Sequence, residues 1–422
     1  MQASTLLYIL LAIITINYIF ETILELLNLS YRNKEIPKIL DDIYDHERYK
    51  KAMNYEKESS IFSIVKSTFF YILTLCAFLF GAFALLHDIS MTLSNNPIII
   101  SLTFFGLLFF VWYLISLPFS YFHTFVIEEK YGFNKSTLKT FITDKIKSFF
   151  LSILIGGLLL FVLIWLFLKF ERNFWIMAWL FITFFSLIMT MFYSDIIVPL
   201  FNKQVPLDDD ELYSKIMDFA RKTNFEVDKI YKLDGSKRTT KANAYFSGLG
   251  KRKRIVLYDT LINTMTHNEI VAVLAHEIGH YKHKHIIKSF VINTLHTSIL
   301  LYVFSLVSQS QLLSEALLYS PFGYNSIAQP QAYFHLNITV FTLLYSPVST
   351  FIELILNAFY RKNEYEADNF AKKYGLAPYL VKALKKLASN NMSNLTPHPL
   401  YVKIYYSHPD LKSRIENLLN VK

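Results

Sequence analysis

Of the 422 residues, 53% are apolar and 17% aromatic, only 18% are charged, and the net charge is +9. Such a length could make two or three soluble domains, but their surfaces would need more charge than this chain offers, so a polytopic membrane protein is expected. The only cysteine, Cys76, excludes an intrachain disulfide and any cysteine-built metal site, and within an apolar run it reads as a packing thiol.

Several apolar runs exceed the ~20 residues a helix needs to cross a bilayer. They predict seven spans, near Leu6–Leu26, Phe62–Leu86, Ile98–Phe122, Phe149–Lys169, Phe174–Phe201, Ile286–Val307 and Leu336–Tyr360. No basic residue precedes the first run; Arg32 is the earliest. A cleaved signal needs a cationic start, so the first run is expected to stay as a span. Lys and Arg are missing from Ser67 to Glu129 and from Ser289 to Tyr360, but abundant in Arg32–Lys57, Lys130–Lys147, Lys203–Lys284 and from Arg361 onward. By the positive-inside rule this alternation puts the N-terminus outside and the basic segments in the cytoplasm.

Between the spans, Arg32–Ser60 reads as a polar connection, helical in part, and Asn134-Lys135-Ser136 as a helix start. Asp208–Lys222 has helical periodicity, and Val227–Leu233, Ala244–Leu249 and Arg254–Tyr258 are β-like runs. The chain divides into residues 1–202 (five spans and their loops), 203–285 (a small cytoplasmic α+β module), 286–360 (two spans) and 361–422 (a helical segment broken at Pro378, Pro397, Pro399 and Pro409). Lys251-Arg252-Lys253-Arg254 could suggest nucleic acid. Its place in a short turn beside a membrane favours headgroup contact or solvation instead, and no nucleic-acid partner is expected.

The chemistry concentrates at His276-Glu277-Ile278-Gly279-His280. On a helix, residues four apart are rotated by ~40°, so both imidazoles can grip one ion. Glu277 then stands where a carboxylate can take a proton from a metal-bound water. A catalytic zinc wants a third protein ligand. The continuation H-x-x-G-x-x-H fails, because His283 and Ile286 occupy its glycine and third-histidine positions. Glu364, just past the seventh span, is the best candidate; Asp368 shares its helical face and can orient an imidazole. Glu366 points elsewhere and reads as a solvated helix residue. Glu353, Asn357, Arg361, Glu364 and Asp368 form one polar stripe, and His285, Ser289, Asn293 and His296 another. Both could line a wet space leading to the metal or form polar helix–helix contacts.

The chain resembles the CAAX prenyl protease 1 family, membrane-embedded zinc endopeptidases that trim prenylated proteins. The likeness runs in order through Phe125–Asn134, Asp195–Phe201, Gly235–Arg238, Asn243–Phe246, Arg254–Thr260, His276–Tyr281, Glu364–Asp368, Tyr406–Pro409 and Arg414-Ile415. It implies a mainly α fold with seven transmembrane helices enclosing an interior chamber, and one Zn2+ per chain near the cytoplasmic end. It also implies that Asn243 holds the substrate backbone, that His408 steadies the oxyanion, and that Arg414 braces an acidic group near Asp368 or Glu364. His285 matches a family position without a clear role. The implied substrates are prenylated or otherwise membrane-associated peptides and proteins, cut after an isoprenylated cysteine. A short Thr260–Asn268 connection and the lack of a dilysine signal favour a bacterial inner membrane over the endoplasmic reticulum. Two other readings are a quality-control protease for damaged membrane proteins and a transporter or scaffold with a structural zinc.

Overall fold

The computed structural model describes residues 1–32, 34–247, 253–328 and 331–420. In chain order the helices begin with α1 (Ala3–Tyr31), α2 (His46–Leu79), α3 (Ala82–Leu93), α4 (Pro97–Phe122), α5 (Glu129–Tyr131), α6 (Leu138–Phe170) and α7 (Phe174–Ile196). A mixed segment follows: β1 (Gln204–Pro206), α8 (Asp210–Lys222), β2 (Lys229–Leu233), β3 (Ala244–Ser247), β4 (Arg254–Tyr258), α9 (Asp259–Ile262) and α10 (His267–Lys282). The chain ends with α11 (His285–Val307), α12 (Gln311–Leu318), α13 (Phe334–Lys373), α14 (Ala377–Asn390), α15 (Pro399–Tyr405) and α16 (Leu411–Leu419). Among the described residues, seven helices are long and apolar enough to cross a membrane, and each overlaps one predicted span.

The helices outrun those spans. α2 starts at His46, where Asp45 accepts from the Arg48 N–H, so the second half of the polar connection is helix. α13 continues for 40 residues through Tyr360, carrying the chain from the membrane into the metal site without a break. The second span, in contrast, is interrupted inside the predicted Phe62–Leu86. Gly81 takes φ 79°, a left-handed conformation that costs glycine little. Carbonyls freed there are satisfied by a later loop: the Ser320 hydroxyl and the Phe322 N–H donate to Leu79 O, and the Tyr324 N–H donates to Phe80 O. Asn134-Lys135-Ser136 does not start a helix. The Lys135 N–H donates to Arg238 O, and Thr137 caps α6 two residues later. Cys76 is exposed on α2 rather than packed between helices.

The four strands form one sheet in the order β1-β2-β4-β3, with β2 and β4 parallel and both outer pairings antiparallel. β1 is too short, and ends in too awkward a residue (Pro206), to show in the sequence. Of the basic run, Lys251 and Arg252 lie outside the described residues. Lys253 is buried with its ammonium over the Phe225 and Tyr281 rings, and Arg254 pairs with Asp195. Those two are engaged within the protein, not presented to headgroups.

The sheet, α8, α10, α14 and α16 share one apolar core, and Leu40, Ile43 and Tyr44 from the first connection join it. The first turns of α6 are tied to the same module, because Arg238 grips Asp144 with bonds of 2.7 and 2.9 Å. All four Lys- and Arg-rich segments therefore gather on one side of the bundle.

Candidate metal centre

α10 is fixed at its start by a reciprocal cap. The Thr266 hydroxyl accepts from the Glu269 N–H, and the Glu269 carboxylate accepts from the Thr266 N–H at 2.7 Å. Ile270, Leu274 and Ile278 then point into the core, which turns His276 and His280 to the opposite flank with their Nε2 atoms 3.1 Å apart. α13 packs across this flank at Gly279. A Cβ there would lie 2.9 Å from Ala367 Cα and 3.0 Å from Phe370 Cβ, so only glycine allows the approach. That contact brings in Glu364, with Oε1 3.2 Å from His280 Nε2 and Oε2 3.4 Å from His276 Nε2.

The three side chains suit a metal ion. Each offers a ligand atom within 4.8 Å of the other two. Glu364 Oε2 is buried without a hydrogen bond, and His408 Nδ1 lies 2.8 Å from it. Two imidazole nitrogens and one carboxylate are also a known donor set of catalytic zinc. Burial opposes a charge on His276, yet the neighbouring carboxylates of Asp368 and Glu364 outweigh that and raise its pKa to about 9. The pocket is thus one that attracts a cation.

Each histidine is backed by a partner. His276 Nδ1 is 2.8 Å from Asp368 Oδ1. Asp368 is in turn held by a two-pronged grip from Arg414, at 2.9 and 2.7 Å. His280 Nδ1 is 2.9 Å from His285 Nδ1, and His285 Nε2 is 2.9 Å from Glu366 Oε2. Glu366 is therefore not a solvated residue. It points away from Glu364 along its own helix, as two residues apart must, but the turn after α10 delivers His285 to that other face. A break separates α10 from α11, with Lys284 at φ 58°.

The two polar stripes serve different purposes. His285, Ser289 and Asn293 line a cavity of about 540 Å³ that also reaches Glu277, His280, Glu364 and His408. His296 instead bonds the Tyr345 hydroxyl at 2.6 Å. On α13 the Asn357 amide donates to Ile404 O at 2.7 Å, and Arg361 donates to Tyr406 O at 2.7 Å. These are helix contacts; they clamp the end of α15 and so hang His408 over the metal site. No local signal in the sequence pairs Asn357 and Arg361 with carbonyls more than 40 residues away.

Glu277 is half-buried and faces a second cavity, of about 710 Å³, along with Asn243, His276, Glu364, His408 and Arg414. Asn243 is exposed and precedes β3, whose one partner among the described strands is β4. The far edge of β3 is consequently unpaired by any described strand. α14 lines the opposite wall through Leu380, Leu384 and Leu387, which the sequence did not single out.

Residues 26–203 match the family model described as CAAX prenyl protease N-terminal, five membrane helices, and residues 206–422 match Peptidase family M48. The chain is 36% identical over 407 residues to CAAX prenyl protease 1 of Saccharomyces cerevisiae, covering 91% of this chain and 88% of the relative. It is 35% identical to a homolog from Arabidopsis thaliana, covering 94% of each, and 31% identical to one from Homo sapiens, covering 92% and 89%. Its fold superposes on the crystal structure of S. mikatae Ste24p with a TM-score of 0.92 at 34% identity, over 98% of this chain and 99% of that one.

Proposed function

Because this chain belongs to the CAAX prenyl protease 1 family, we propose that it is a membrane-embedded zinc endopeptidase that removes the C-terminal tripeptide after an isoprenylated cysteine. The observation that carries this reading is the convergence of His276, His280 and Glu364 beside Glu277 in the lining of two cavities. These three residues would hold one zinc ion per chain. When bound, the metal supplies an acidified water and polarises the scissile carbonyl.

The chain's own groups do the rest. Asp368 accepts a hydrogen bond from His276 Nδ1–H, which leaves the Nε2 lone pair toward the ligand pocket; Arg414 keeps Asp368 charged and in place. Glu277 takes the proton of the attacking water and returns it to the leaving amine. His408, held by the clamp on α15, donates to the oxygen that gains charge in the tetrahedral state. Asn243 and the open edge of β3 pair with an extended peptide backbone. A prenyl tail adds ~0.8 kcal/mol of membrane affinity per buried CH₂, which concentrates such substrates at the bilayer.

The gathering of the basic segments on one side supports a cytoplasmic active site and an outside N-terminus. An integral multi-pass membrane location follows from the family. The named relatives are eukaryotic and give no support to the bacterial inner membrane over the endoplasmic reticulum.

Zinc-dependent cleavage of farnesylated and unprenylated peptides tests the assignment. Glu277→Gln is expected to keep its zinc and lose turnover. Wild-type rates from that variant would refute the role given to Glu277, and equal cleavage of unprenylated peptide would favour quality-control proteolysis.

A further inference from the structure

The break after α10 assembles a second set of ligating side chains next to the first. In an unbroken helix, at ~100° per residue, His283 and His285 would face nearly opposite ways. With Lys284 at φ 58° the chain folds back, and the two rings stack with centroids 5.6 Å apart and planes 15° apart. Glu366 closes the group from α13, and one ligand atom each from His283, His285 and Glu366 lies within 4.8 Å of the others. His285 is buried, Glu366 half-buried and His283 exposed, so an ion can arrive from solvent. Lys362 comes within 4.0 Å of the Glu366 carboxylate, but its side chain is 75% exposed and competes weakly.

We propose that His283, His285 and Glu366 bind a second divalent transition-metal ion, zinc by donor type, and that its binding turns the enzyme down. The idea rests on the reading of His280 as a ligand of the catalytic zinc. His280 Nδ1 and His285 Nδ1 are 2.9 Å apart, so one of them carries a proton. If His280 gives its Nε2 lone pair to the inner ion, its proton sits on Nδ1 and is donated to His285 Nδ1. His285 then holds its own proton on Nε2 and donates it to Glu366, which is the arrangement the distances describe.

An outer ion needs a lone pair on His285 Nε2. That moves the His285 proton to Nδ1, where two N–H groups would confront each other across the 2.9 Å gap. The bond behind His280 is lost. Losing such an outer partner typically lowers metal affinity or activity 10–100-fold. The two ions therefore oppose each other through one pair of rings while touching different nitrogens. The inner site, with its ligands already convergent and buried, fills first. The outer one, completed by an exposed His283 that must close on the ion to ~2.0–2.1 Å, fills when zinc is abundant.

The test uses the full-length protein in detergent, loaded with one zinc per chain. Free zinc is raised in a metal buffer while farnesyl-peptide cleavage and bound zinc are both followed. Wild-type cleavage should fall as a second equivalent binds. His283→Ala should keep its basal rate, with the second equivalent and the inhibition both shifted to about tenfold higher free zinc or more. Zinc counting on Glu277→Gln, in which turnover is not needed, should still find two unequal sites. That arm tells failure of this inference from failure of the proposed activity. A single equivalent across the inhibitory range would overturn the proposal. So would inhibition that His283→Ala leaves unmoved, since the inhibitory ion would then sit at the catalytic zinc and Glu277.

Discussion

Gly279→Ala sets two effects of opposite sign against each other. In an ordinary exposed helix, alanine in place of glycine stabilises by about 1 kcal/mol. Here the new methyl would meet Ala367 Cα at 2.9 Å and Ala367 O at 3.1 Å, backbone atoms that cannot rotate away. Reaching an ordinary contact of 3.4 Å from 2.9 Å needs α10 and α13 to part by 3.4 − 2.9 = 0.5 Å. Overpacking of this kind costs ~1–3 kcal/mol, so the net expectation is a loss of roughly 0–2 kcal/mol after the helix gain is subtracted. The larger consequence falls on the metal. Ligand distances tolerate only ~0.2 Å of error, and the same movement carries Glu364 away from both imidazoles. Zinc affinity, read by chelator competition on Glu277→Gln and on its Gly279→Ala derivative, should drop at least ~10-fold. Thermal unfolding in detergent would give the stability change. Unchanged zinc affinity with a raised unfolding midpoint would show that the close crossing is not what positions Glu364.

Other outcomes follow from particular contacts. Arg414→Met leaves the fully buried Asp368 carboxylate without its cation, which should cost ~3–5 kcal/mol and weaken zinc 10–100-fold; intact affinity in the chelator assay would contradict the brace. Gly81→Ala puts a Cβ 1.8 Å from Tyr324 O at φ 79°, so strain and clash together should remove ~3 kcal/mol or more, seen as a lowered unfolding midpoint. Burial raises the pKa of Glu269, but Lys386 and Thr266 outweigh it and hold the carboxyl below its ordinary 4.5. A depressed folded value means its stabilisation is complete above about pH 4.5 and is lost as the pH falls through the folded pKa. Glu269→Gln keeps the cap acceptor but loses the charge facing Lys386, so it should lower the midpoint near neutral pH by ~1 kcal/mol equivalent or less and flatten its acid decline. A variant as acid-sensitive as wild type would point to other carboxylates.

The sequence by itself settled what depends on neighbours along the chain. Apolar runs of bilayer length require helices wherever they occur, because backbone groups in lipid have no other partners, and all seven were legible. The spacing of His276 and His280 forces a shared face, and Glu277 is carried with them. Glu364 and Asp368 could be named because four residues return a helix to the same side. Only the tertiary structure decided which side chains from remote segments meet. Glu366 reads as solvated until a left-handed Lys284 turns His285 toward it. Asn357 and Arg361 read equally as cavity lining or as helix contacts until α15 places carbonyls in their reach. Gly279 gains its importance only where α13 crosses it. Periodicity reports which face a residue occupies; what lies opposite that face is fixed by close packing between elements that the chain order leaves far apart.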